Sequence, residues 1–274
     1  MKATKILNAP VRQATQIVFS TALLITAGLS QAQSTAQSEW IQLFNGDNLD
    51  NWKIKFTGFE LGENYRDTFK VVDGLLTVSY DEWPDFNNEF GHMFYDQSFS
   101  HYELRIEYRF IGEQVTNGPN WAFRNNGMML HSQAPESMTI DQEFPASIEA
   151  QMLGGNGEDP RATGNVCTPG THMVMNGELV TRHCTNSNSE TFHGDQWVTM
   201  EMIVRGSDSI RQIVNGVTVM EYQDIQLDDT DPDAQTLIQN GAAIELGEGY
   251  ISIQAESHPI QFRKIELRTL DYNG

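Results

Sequence analysis

The chain is short of cysteine, short of basic residues and, beyond its first thirty or so positions, free of long apolar runs. Two cysteines among 274 residues are too few for the four-ligand thiolate sites of structural zinc. No apolar stretch after residue 32 approaches the roughly 20 residues a bilayer-spanning helix needs, which excludes membrane insertion as an expectation. Lysine and arginine total 17 against 37 aspartates and glutamates, a formal charge of −20. That surplus excludes nucleic acid as an expected partner and makes anionic membrane surfaces and polyanionic glycans poor ones. Also missing is any window of about twelve residues with helical apolar spacing and caps, which excludes helical bundles and doubly wound α/β folds.

What is present begins with a leader. Lys2, Lys5 and Arg12 form a basic region, Ile17 to Leu29 an apolar run, and Ser30-Gln31-Ala32 a small-x-small cleavage site. These features mark residues 1–32 as a signal peptide and leave 33–274 as one domain. An exported protein, periplasmic or extracellular, is expected. Loss of the leader removes three of the 17 basic residues and none of the 37 acidic ones, so the formal charge becomes −23. In an exported chain, Cys167 and Cys184 are expected to form a disulfide. Closing a loop of that length stabilises by roughly 3 kcal/mol on the chain-entropy account.

Strand signals fill the rest. Asp73-Gly74, Asn176-Gly177 and Asn215-Gly216 each lie between β-branched runs, the pattern of tight two-residue hairpins. Residues 102–110 alternate cleanly, Tyr102, Leu104, Ile106, Tyr108 and Phe110 on one face and Glu103, Arg105, Glu107 and Arg109 on the other. That charged face reads as a solvent-facing ladder. Further strands are expected at 40–44, 127–131, 146–152, 197–205, 250–255 and 260–268. In two of them alternation brings polar groups to one side: Ser147, Glu149 and Gln151 in the first, Ser252, Gln254 and Glu256 in the second. The acidic run 228–233 resembles a calcium loop, but Ala234 and Asn240 stand where its glycine and glutamate belong, so it reads as a solvated loop. Many strands and hairpin connections predict an all-β, two-sheet antiparallel sandwich of jelly-roll type.

Several segments then resemble one family, in order along the chain. EWIQLFNGDNLDNW (39–52), FKVVDGLLTV (69–78), FSHYELRIEYRF (99–110), RNNGMMLH (124–131), SIEAQML (147–153), WVTMEMIVRG (197–206), IVNGVTVMEY (213–222) and GYISIQAESHPIQFRKIEL (249–267) are similar to the domain of 3-keto-disaccharide hydrolases. The resemblance implies a concanavalin-like jelly roll and cleavage of glycosides oxidised to a ketone at C3. Such a ketone acidifies the C2 proton. One base, stabilisation of the enolate and help for the leaving group then suffice, with water adding back in a hydrolase or not in a lyase. Retaining jelly-roll glucanases carry acids in an E-x-D-x-E pattern, whereas here Glu149, Gln151 and Leu153 stand at those positions. Conventional two-carboxylate hydrolysis is weakened by that difference.

The resemblance implies Glu149 as general base and sets Glu256 at a site-facing position, and His131 and Glu256 are the candidates to assist proton transfer. It implies Gln151, Gln254 and Arg263 as substrate-binding residues; Asn125 either binds sugar hydroxyls or shapes the turn, and His258, a turn residue before Pro259, and His172, beside the disulfide segment, are further substrate-binding candidates. His131 departs from the family, where a basic residue is common, and leaves charge, proton transfer and metal binding open. Arg263 could instead form an ion pair with Glu149 or Glu256. Trp83, Trp121 and Phe123 are either sugar platforms or core. No cofactor is required, although a divalent metal held by His131 and nearby carboxylates could stabilise an enolate. The partner is a small carbohydrate, and the sequence leaves the oligomeric state open. A non-catalytic lectin-like module and a conventional glycoside hydrolase remain the alternatives.

Overall fold

In the computed structural model, which describes Met1 and residues 38–272, each of the three Asx-Gly pairs closes a hairpin. Both residues of each pair take positive φ: 51° and 76° at Asp73-Gly74, 54° and 80° at Asn176-Gly177, 47° and 82° at Asn215-Gly216. Their flanking residues pair directly, Val72 with Leu75, Met175 with Glu178 and Val214 with Val217. The signal-peptide reading falls on residues 1–32, which apart from Met1 lie outside the described residues.

In chain order the strands are β1 (Ile41–Gln42), β2 (Trp52–Phe56), β3 (Phe69–Val72), β4 (Leu75–Val78), β5 (Gly91–Tyr95) and β6 (His101–Phe110). They continue with β7 (Asn125–Ser132), β8 (Ile148–Leu153), β9 (Asn165–Cys167), β10 (Thr171–Met175), β11 (Glu178–Val180) and β12 (Cys184–Thr185). The last are β13 (Val198–Arg205), β14 (Ser209–Val214), β15 (Val217–Leu227), β16 (Tyr250–Ala255) and β17 (Ile260–Thr269). They form two antiparallel sheets. The ten-stranded sheet runs β11-β10-β15-β14-β13-β6-β17-β4-β3 with β1 added to β17, and the seven-stranded sheet runs β12-β9-β8-β7-β16-β5-β2. The fold is the all-β jelly-roll sandwich that the strand pattern predicts.

The inner faces make one core. Tyr102, Leu104, Ile106 and Tyr108 of β6 are buried against residues such as Met128, Ile148, Met152, Ile251 and Ile253 of the other sheet. The opposite face of β6 is the expected ladder: Arg105 joins Glu201 and Glu266, and Arg268 joins Glu103. One element departs from expectation. The acidic run 228–233 is not all loop, because Asp231 caps a helix, α1 (Pro232–Gln239), accepting the backbone N–H groups of Asp233 and Ala234 at 3.0 and 2.9 Å. Pro232 tolerates the first helical turn because its missing N–H would have no partner there. Cys167 and Cys184 form the disulfide, tying β9 to the short edge strand β12.

Candidate active site

The outer face of the seven-stranded sheet collects the polar halves of three strands. Glu149 and Gln151 of β8 lie beside Met129 and Gly127 of β7, and Gln254 of β16 lies beside His92 of β5. Gly127 is the gap that lets them converge. A Cβ there would stand 2.4 Å from Glu149 Oε1 and 2.6 Å from Gln254 Oε1, closer than van der Waals contact allows. The space above this glycine therefore belongs to the two side chains. Beside them opens a cavity of about 350 Å³ lined by Asn125, Glu149, Gln151, Arg161 and Glu256, with Trp121 and Phe144 among its apolar walls.

Burial dominates the electrostatics. Glu149 and Glu256 are 5% and 2% exposed, and removing a carboxylate from water favours its neutral form. Glu149 is pushed well above the ordinary carboxylate range, by burial first and by the charge of Glu256 second. Glu256 is also pushed up by burial, to about 8, while the Arg161 guanidinium pulls it down. Arg161 thus favours ionisation of Glu256, and that ionisation in turn favours a protonated Glu149. Both carboxyls are thus pushed up by burial in one pocket, and the guanidinium acts on one of them, Glu256.

Several polar atoms around this pair have no protein partner. They include Asn125 Oδ1, Glu149 Oε1, both amide atoms of Gln254 and Glu256 Oε2. A buried polar atom left unpaired costs roughly 1–3 kcal/mol, so a cluster of them on one sheet face points to a polar ligand. Gln151 is better satisfied, accepting a hydrogen bond from Asn165 Nδ2 at 3.0 Å. Asn126 points away and donates to the Gln254 main-chain carbonyl at 2.7 Å, holding β7 to β16.

Five of the residues expected at the site therefore come together: Glu149, Glu256, Asn125, Gln151 and Gln254. Four do not. His131 turns into the core, where its Nε2 lies 3.0 Å from the Gly206 carbonyl and its ring meets Tyr102 edge-on at 6.1 Å. The cause is a bulge: Met129 and Ser132 of β7 oppose Ser252 and Tyr250 of β16, three steps against two. His131 absorbs the extra residue at φ 48°, which reverses the side its ring faces. Burial holds this imidazole neutral, with its pKa lowered to about 4.

Arg263 is also displaced from expectation. It sits on the outer face of the ten-stranded sheet, where it bonds Glu107 and stacks its guanidinium 4.6 Å from the Trp197 ring. The register between β17 and β6 shifts at this residue, so Arg263 and Lys264 both serve Glu107. The ion pair is therefore with Glu107, not with Glu149 or Glu256. His258 is buried behind the pocket, its ring edge-on to Phe110 and Phe123 at 5.7 and 5.2 Å. His172 lies in a neighbouring groove of about 610 Å³, 3.3 Å from Asp228.

Arg161 and Trp121 complete the wall. Arg161 comes from the loop between β8 and β9, where no periodicity marks it. It donates to the main-chain carbonyls of Trp121 and Gly154 at 3.1 and 2.9 Å and to that of Phe123. It thereby fixes the segment that carries Trp121, whose ring is 53% exposed and stacked on Phe90. Trp83 is core, hydrogen-bonded to Thr68 Oγ1. A metal held by His131 does not fit, because that imidazole faces the opposite side of its strand from the carboxyl pair. Among the described residues the cluster of metal-ligand types is Cys167, His183 and Cys184, and its two sulfurs are bonded to each other.

Two solved structures from Parabacteroides distasonis ATCC 8503, both named as candidate glycosyl hydrolases, share this architecture. One is 18% identical with a TM-score of 0.50, covering 85% of this chain and 100% of that one. The other is 14% identical with a TM-score of 0.51, covering 85% of this chain and 94% of that one. No curated protein matches the sequence. The likeness to the two structures speaks for the fold alone. The family is shown separately: residues 39–268 match the 3-keto-alpha-glucoside-1,2-lyase-like domain, and the chain belongs to that family.

Proposed function

We propose that this protein cleaves 3-keto-glycosides by taking the proton at C2 of the oxidised sugar. The observation that carries the reading is the pair of buried carboxyls lining one pocket, set beside unpaired polar atoms. Glu256, whose ionisation Arg161 favours, accepts the C2 proton. The electron pair left on carbon delocalises onto the C3 oxygen, where protonated Glu149 and the Gln254 amide donate hydrogen bonds to the enolate. As the ketone re-forms, a C1=C2 double bond forms and the C1–O bond breaks. The departing oxygen takes from Glu256 the proton removed from C2, which restores the carboxylate. Water adding back at C1 gives hydrolysis, and release of the unsaturated ketone gives a lyase. This reading exchanges the roles that the resemblance implies for the two glutamates, because the Arg161 guanidinium draws Glu256 toward ionisation while the charge of Glu256 disfavours ionisation of Glu149.

Trp121 and Phe144 supply apolar surface on which a sugar face can rest, and Asn125 and Gln151 supply hydroxyl contacts. Conventional hydrolysis is a second reading, favoured by two carboxyls in one pocket. Matched native and 3-keto-glucosides separate the two: only the oxidised substrate should be consumed. Binding of either glycoside with no product would instead favour a lectin-like role. In the same reading residues 1–32 direct export, and the Cys167–Cys184 disulfide suits an oxidising compartment.

A further inference from the structure

At the edge of the seven-stranded sheet, three potential metal ligands converge on the wall of the carboxyl pocket. Cys167 ends β9 with Glu149 as cross-strand neighbour on one side and Cys184 on the other. His183 immediately precedes Cys184. The two sulfurs and one imidazole nitrogen all lie within 4.8 Å of one another, with Cys167 buried and the other two exposed. Main-chain bonds hold this arrangement on both sides of the disulfide. The Thr168 N–H donates to the His183 carbonyl at 2.8 Å, and Thr185 pairs with Val166. The three ligands are therefore brought together by the strands as well as by the sulfur–sulfur bond.

We propose that Cys167, Cys184 and His183 form a metal site masked by oxidation, which a dithiol unmasks for one zinc-class divalent cation. The dithiol is oxidised to its own disulfide and gives two electrons and two protons. The protein S–S bond breaks to two thiols, and the incoming cation displaces both thiol protons. Two thiolates and an imidazole suit zinc and cobalt. Metal–ligand bonds of about 2.0–2.3 Å place such ligands roughly 3–4 Å apart, so the two sulfurs must separate once their bond is broken. Two observations set this cluster beside ligand space. All three residues line the carboxyl pocket. His183 also borders the neighbouring groove, whose Asp141, Glu143, Asp228, Asp231 and Asp233 concentrate cations nearby. In the oxidised protein neither sulfur carries a charge to offer, so the site is closed.

The test uses the folded protein reduced with a dithiol, freed of excess reductant under anaerobic conditions and titrated with cobalt(II). The expected result is a thiolate-to-cobalt charge-transfer band reaching its limit at one equivalent. The oxidised protein and Cys184→Ser should lack the band, and His183→Ala should weaken binding by more than roughly tenfold. Near-ultraviolet circular dichroism follows the fold throughout. Three outcomes would overturn the proposal: no band in the reduced protein, an affinity that His183→Ala leaves unchanged, or loss of the tertiary signal on reduction alone. The readout is spectroscopic and needs no glycoside, so it stands or falls independently of the cleavage reaction.

Discussion

The two sheets present glutamates on their outer faces in the same alternating pattern, yet they treat them in opposite ways. On the ten-stranded sheet Glu107 is bracketed by Arg263 and Lys264, and those cations outweigh its partial burial and hold it below the ordinary carboxylate range. On the seven-stranded sheet Glu149 and Glu256 have no such bracket. Arg161 is near, but its guanidinium is occupied with main-chain carbonyls, and burial pushes both carboxyls up. Strand periodicity places a carboxyl on a face. Its neighbours across the strands decide whether it becomes part of a solvated ladder or a buried carboxyl with a raised pKa.

The largest test of that contrast is a matched pair of isosteric changes. Glu256→Gln should lower turnover of a 3-keto-glucoside by about 10³-fold, while Glu107→Gln should leave it within about twofold. Steady-state assays on folded proteins check both. Next in size is Gly127→Ala, whose new methyl group displaces Glu149 and Gln254. About a hundredfold loss of kcat is expected, since a displacement near 1 Å has that effect on a positioned site. Arg161→Gln tests what separates the two carboxyls. Without the guanidinium the Glu256 pKa rises, so the acidic limb of the kcat/KM profile should move to higher pH, and Arg161→Lys should restore it in part.

The smallest effect concerns stability, and its sign differs between the sheets. A carboxyl raised by folding binds a proton more tightly in the native state, so stability falls as pH rises from the unfolded value near 4.5 to about 8 for Glu256. Glu256→Gln should therefore melt higher than the parent at pH 8 and close to it at pH 4. Glu107 is lowered by folding, so its contribution is present above the unfolded pKa and lost as pH falls through the folded one. Glu107→Gln should melt slightly lower than the parent at pH 7, with the difference vanishing in acid. Thermal melts across pH read both.

Much of this was legible in the sequence because period-two alternation and Asx-Gly turns are local signals. The hairpins, the β6 ladder and the shared faces of Glu149 with Gln151 and of Gln254 with Glu256 follow from them, while the disulfide follows from a single cysteine pair in a chain read as exported. The failures lie where a local rule is broken. His131 was expected beside Glu149, but one extra residue in β7 turns it inward. Arg263 occupies a bulge in β17, on the sheet away from the pocket. Arg161 belongs to a loop, and only its hydrogen bonds across the chain to Trp121 and Phe123 reveal its place. The proposed exchange of base and acid likewise rests on Arg161, a loop residue that no strand periodicity marks.

The most direct measurement follows the fate of hydrogen at C2. A 3-keto-glucoside carrying deuterium at C2 should lose its label to water as it is cleaved, beyond the rate without protein, and Glu256→Gln should abolish both label loss and cleavage. Release of a sugar that keeps its C2 deuterium, or equal cleavage of the unoxidised glucoside, would contradict proton abstraction by this carboxyl pair.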